Sequence, residues 1–155
     1  MEKEFVPYEP ALSLKELGFD EPCFGYYVDG ALRGIDLGME ELGGKEPYYQ
    51  RFGFHTLSNH DIDNPNKIVV TAPTFSQAFR WFRDKYGLFT SIIVDQTTKP
   101  KFYYNISEYY EVETTWEWKD GRGNSSLYRI YEEAELACLI KLIEIVSTTP
   151  TKCYK

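Results

Sequence analysis

Between Ala72 and Leu88 the apolar positions recur with a helical period. Phe75, Ala78, Phe79, Phe82 and Tyr86 fall on one stripe, and Ser76, Arg80, Arg83 and Asp84 fall opposite. Thr74 and Gln77 have capping-box spacing just ahead of that stripe, and Gly87 supplies a left-handed residue to end it. The pattern predicts a helix over 74–86 with Phe79 and Phe82 at the centre of its buried face. A second helix is predicted over 131–146, opened by Glu132, Glu133 and Glu135 at the positive end of the macrodipole. Ala134, Ala137, Cys138, Leu142 and Ile145 form one apolar stripe on it, and Leu136, Leu139, Ile140 and Ile143 form a second on the far side. One sheet cannot cover both stripes. The helix is therefore expected either under the 31–71 segment or in a homodimer formed through Leu136, Leu139, Ile140 and Ile143.

Shorter elements surround these two. Pro10 starts a short helix through Leu12, Leu14 and Leu17 that Gly18 closes, and 23–28 (CFGYYV) reads as a strand ended by Asp29-Gly30. From Ala31 to Asn66 periodicity is lost among glycines and turn formers, with one helical turn expected at Met39 to Leu42. Strands are expected over 68–71, 89–94, 102–106, 109–118 and 127–130. In the fourth of these, Val112, Thr114, Trp116 and Trp118 alternate with charged and polar residues at a period of two. Together the elements predict one α+β domain over 1–155. It is an antiparallel meander of three to five strands with two main helices packed on one face, a loop-rich insertion at 31–71 and a tail at 147–155.

Composition narrows the partners. At 155 residues, 43 % hydrophobic and 17 % aromatic, the chain can build a real core. Its net charge of −7 argues against general nucleic-acid binding, which rests on cationic neutralisation of phosphates. Neither a secretory leader pattern nor an apolar run of membrane-spanning length is visible, and three cysteines at unrelated spacings fit a reducing compartment. A cytoplasmic location without membrane attachment is expected.

Candidate chemistry is sparse. His55 and His60 lie near Asp61 and Asp63, which gives a conceivable donor set for a divalent metal without the spacing of any zinc motif. Gly38 to Glu46 lacks the hydroxyl and glycine spacing of a phosphate loop. Cys23 would be a nucleophile only if a histidine came close in space. Tyr103, Tyr104, Tyr109, Tyr110, Trp116 and Trp118 form the densest aromatic zone, which either packs as core or gives a surface that stacks nucleobases or anchors a protein partner. No catalytic residue and no cofactor are assigned. Because binding residues concentrate on loops, Tyr48, Tyr49, Arg51, Phe54, His55 and His60 are the candidate binding set.

The blocks FVPYEPALSLKELGFDEPCFGYYVDG, APTFSQAFRWFRDKYGL and YEEAELACLIKLIEIV, in that order, resemble those of a group of small uncharacterised proteins of gut Bacteroidetes and of their phages and mobile elements. The resemblance covers about half the chain and departs from it between Gly30 and Thr71. It implies a mobile-element or prophage setting and no specific activity. The expected role is that of a small non-enzymatic binding or interaction protein that modulates host machinery or defence, with a protein or a second copy as partner. Two other classes stay open: a metal-dependent enzyme using the His55/His60 segment, and a binder of nucleotide-like small molecules on an aromatic sheet surface.

Overall fold

The computed structural model describes residues 2–33, 58–61, 65–95, 101–112, 115–119 and 127–148. They form an α+β fold whose strands are divided between two three-stranded antiparallel sheets, in two compact units, Met1–Phe75 and Ser76–Lys155. The expected turn at Met39 to Leu42 and the tail from 149 onward lie outside the described residues.

In the first unit, helix α1 (Tyr8–Glu16) starts two residues earlier than Pro10 suggests, with Pro7 at its N-cap. Pro10 is tolerated because its missing N–H belongs to the first turn, where no carbonyl waits for it. The helix ends in a Schellman arrangement. Gly18 is left-handed at φ 84, its N–H reaches Lys15 O at 2.9 Å, and the Phe19 N–H reaches Leu14 O at 2.9 Å. Ala11, Leu14 and Phe19 are buried, whereas Leu12 and Leu17 are only half-buried.

Strands β1 (Gly25–Val28), β2 (Ala31–Arg33) and β3 (Val69–Ala72) pair in the order β2-β1-β3. Asp29 and Gly30, at φ 48 and 83, close the β1–β2 hairpin between the register pair Val28 and Ala31. Two successive positive φ values are what a two-residue hairpin turn with the sheet's own twist requires. Strand β2 thus lies at the start of the stretch where periodicity is lost, and only Asp29-Gly30 announces it. All four residues of β3 are buried, and α1 packs against this strand with Lys15 Nζ donating to Val69 O at 2.9 Å. The Tyr27 hydroxyl donates to Val6 O at 2.8 Å, and the Tyr8 ring meets the Tyr27 ring edge-on at 5.4 Å.

In the second unit, helix α2 (Phe75–Tyr86) is ended by Gly87 at φ 64, whose N–H donates to Arg83 O at 3.0 Å. Phe75, Ala78 and Phe82 are buried as expected, and Ser76, Arg80, Arg83 and Asp84 are exposed. Phe79, expected at the centre of the face, is half-buried, and Trp81 is buried in its place. Trp81 is held edge-on between Phe82 and Tyr86 at 5.0 and 5.2 Å, with Lys85 Nζ 4.6 Å above its ring. The buried face is thus turned toward Trp81, the larger apolar side chain.

Strands β4 (Leu88–Asp95), β5 (Lys101–Val112) and β6 (Thr115–Lys119) form a meander in that order. The expected strands at 102–106 and 109–118 are redistributed. Ser107 and Glu108 continue β5 because Phe89 and Leu88 stand opposite them, and the chain instead reverses between Val112 and Thr115. Trp116 pairs with Glu111, so the single row of Val112, Thr114, Trp116 and Trp118 does not exist. The expected strand at 127–130 is reduced to one bridge between Tyr128 and Phe102. Helix α3 (Tyr131–Thr148) lies against β4 and β5. It runs two residues beyond Val146, and there the hydroxyls of Ser147 and Thr148 donate to the carbonyls of Ile143 and Glu144 at 2.7 and 2.8 Å.

Candidate functional site

Of the expected binding set, Tyr48, Tyr49, Arg51, Phe54 and His55 lie outside the described residues, as does Asp63 of the expected metal set; Asp61 is described in its backbone alone. His60 sits on a single 3-10 turn, Asn59–Asp61, with its side chain 78 % exposed. Its Nδ1 is 3.3 Å from Ser58 Oγ and 3.9 Å from Asp20 Oδ2, and its N–H donates to Asp20 Oδ1 at 2.8 Å. Among the described residues no three His, Cys, Asp or Glu side chains gather as metal donors would.

The neighbour of His60 has the more constrained environment. Asn59 is buried, donating from Nδ2 to Phe19 O at 2.8 Å and accepting at Oδ1 from the Thr71 N–H at 3.0 Å. It satisfies an N–H on the outer edge of β3 and a carbonyl just past the end of α1. The turn is a structural clasp that fixes the end of the segment running from β2 to β3.

Among the described residues the two cysteines, Cys23 and Cys138, are buried, free thiols. Burial pushes the Cys23 thiol up to about 12, reinforced by the Glu21 carboxylate. The Thr71 hydroxyl pulls the other way, by more than Glu21 adds, although its contact falls short of a normal hydrogen bond. Burial, with Glu135 nearby, likewise pushes Cys138 up to about 12. Tyr104 and Tyr131 are raised first by burial. In all four groups the protein favours the neutral, unreactive form. Tyr104, part of the expected aromatic zone, is buried and stacked with Tyr128 at 6.4 Å. Tyr103 is half-buried, and the side chains of Tyr109, Tyr110, Trp116 and Trp118 lie outside the described set.

Among the described residues, four half-exposed apolar side chains lie near the end of the second sheet. Phe102 faces Val94 across β4 and β5. On its other side it exchanges both backbone hydrogen bonds with Tyr128, at 2.9 and 2.7 Å. Its ring meets that of Tyr131 edge-on at 5.9 Å. Val94, Leu127, Ile130 and Tyr131, all adjoining this junction in register or sequence, are each 44–48 % exposed. Lys101, Arg129, Glu132 and Glu133 are exposed beside them. These large apolar side chains are bordered by charges of both signs, on backbone fixed by strand pairing and a helix start. Sequence reasoning missed this grouping, although Leu127 to Tyr131 is apolar at four of five positions, more than one face of a strand can bury.

Comparison with protein-family models, with curated proteins and with solved structures finds no match to the chain. No helix among the described residues is long and apolar enough to cross a membrane.

Proposed function

We propose that this chain is a small non-enzymatic binding protein that engages a protein partner through the apolar rim around Phe102. The observation that carries the reading is the grouping of Val94, Leu127, Ile130 and Tyr131, half-exposed at a junction of strand, bridge and helix. Holding such side chains in water forgoes the burial energy available to them, roughly 25 cal/mol for each Å² of apolar surface. A partner that covers them recovers it. The neutral, buried state of both described thiols is consistent with binding rather than nucleophilic chemistry. In the same reading the protein acts in the cytoplasm of a cell carrying a phage or mobile element and modulates host machinery or defence. That part is supported by the resemblance of its three sequence blocks alone.

The test is site-specific photo-crosslinking in the cell that carries the gene. A benzophenone side chain at Ile130 is expected to give a discrete protein adduct, and one at exposed Arg80 on α2 is expected to give none. No adduct from Ile130, or the same adducts from both positions, would refute the proposal.

A further inference from the structure

A different face of α3 has its own occupant written in its charges. The buried side of the helix is Ala134, Cys138, Leu139 and Leu142. Leu139 is fully buried and so drops out of the row expected to form a homodimer. Leu136, Ile140 and Ile143 remain, spaced four and three residues apart on the opposite side. Ile140 is 50 % exposed, and Leu136 and Ile143 are half-buried. At helical spacing the carboxylates that border this row are Glu132, Glu133 and Glu144. Lys141 is the only cation of the helix, and it is already bound by both oxygens of Glu144 at 2.9 Å. Glu132 and Glu133 have no ion-pair or hydrogen-bond partner among the described residues.

We infer that this row docks an amphipathic helix of a protein partner whose apolar stripe is flanked by lysine or arginine. The charge frame favours that occupant over the others. A second copy would bring the same carboxylates and no free cation on its matching helix face. Anionic membrane surfaces and nucleic acids are repelled by Glu132 and Glu133. A helix with an apolar stripe covers Leu136, Ile140 and Ile143, while its cations meet the unpaired carboxylates at the helix start. Glu132 and Glu133 border the rim around Phe102 as well, but Leu136, Ile140 and Ile143 do not, so a change at Ile140 tests this row and a probe at Ile130 tests the rim.

The experiment uses the full chain and two labelled synthetic amphipathic helical peptides. Both carry one leucine and isoleucine seam; one is flanked by lysines, the other by glutamates. Fluorescence anisotropy is expected to show saturable binding of the lysine-flanked peptide and none of its glutamate counterpart. Ile140→Asp, with unchanged far-ultraviolet circular dichroism, should weaken binding at least about tenfold. That substitution adds negative charge, so a merely electrostatic association would tighten instead. The double change Glu132→Gln and Glu133→Gln should weaken binding several-fold and flatten its salt dependence. Equal binding of both peptides, undiminished binding by Ile140→Asp, or a concentration-dependent homodimer that Ile140→Asp dissolves would overturn the inference.

Discussion

Replacing Asn59 tests whether a single buried amide holds the first unit's turn against β3. Asn59→Leu keeps the branched shape of the side chain and removes both of its hydrogen bonds, to Phe19 O at 2.8 Å and from the Thr71 N–H at 3.0 Å. Both partner groups belong to buried residues, so each loses a bond that water cannot readily replace. An orphaned buried donor or acceptor costs about 1–3 kcal/mol, and the leucine regains part of that by being easier to desolvate. The net loss should be about 2–4 kcal/mol, a fall in melting temperature of roughly 5 to 15 °C for a chain of this size. Asn59→Asp sharpens the reasoning. Its carboxylate still accepts from Thr71 but faces the Phe19 carbonyl with a second acceptor, so burial and repulsion raise its pKa in the folded state. A raised folded pKa means that the folded form binds the extra proton more tightly. The variant should therefore come closest to the parent below about pH 4 and fall behind it as pH rises. Guanidinium denaturation at several pH values measures the deficit, and hydrogen exchange at the Thr71 amide reports the bond directly. Unchanged denaturation midpoints in Asn59→Leu, together with undiminished protection of that amide, would refute the argument.

Two further outcomes follow from burial. Phe82 is fully buried, its ring against Trp81 at 5.0 Å and Tyr86 at 6.0 Å, so Phe82→Ala should destabilise by about 3–5 kcal/mol in chemical denaturation. Phe79→Ala, at a half-buried site, should cost clearly less, and the reverse order would show the face of α2 to be misassigned. The thiols of Cys23 and Cys138 should resist iodoacetamide at pH 8 in the native protein and react once denaturant is added. Because both folded values are raised from 9.0 to about 12, each thiol contributes stability that is intact below pH 9.0 and lost as pH climbs toward 12. Rapid native-state labelling of either cysteine would contradict its burial.

Local chemistry was legible wherever a residue's role depends on its near neighbours. The terminal glycine of α2, the Gly18 stop of α1, the Asp29-Gly30 turn and the acidic start of α3 all act within a few residues, and each is where the sequence puts it, whereas the stripe of α2 is turned so that Trp81 is buried and Phe79 is not. The Asp29-Gly30 pair even contained the signal for β2 that the fading periodicity concealed, since a turn with two positive φ values has little use except to return a strand. The candidate site was far less legible. His60 was identified from its type and proved to be an exposed side chain on a turn, while its neighbour Asn59 does the structural bonding.

What the tertiary structure alone decided is which of several locally equivalent options was used. The reversal between Val112 and Thr115 lies beyond the last pairing of β5 with β4, Glu108 with Leu88, at a place with no glycine or proline to mark it. Leu139 and Ile140 are adjacent and equally apolar, yet one is sealed and the other half-exposed, because α3 lies on β4 and β5 along only one of its sides. The apolar rim joins Val94, Phe102 and Tyr131, residues from three elements separated by unlike stretches of chain. A sequence records the period of an element and the chemistry of its ends. Burial is a property of what the element meets, and that is set only when the chain has closed on itself.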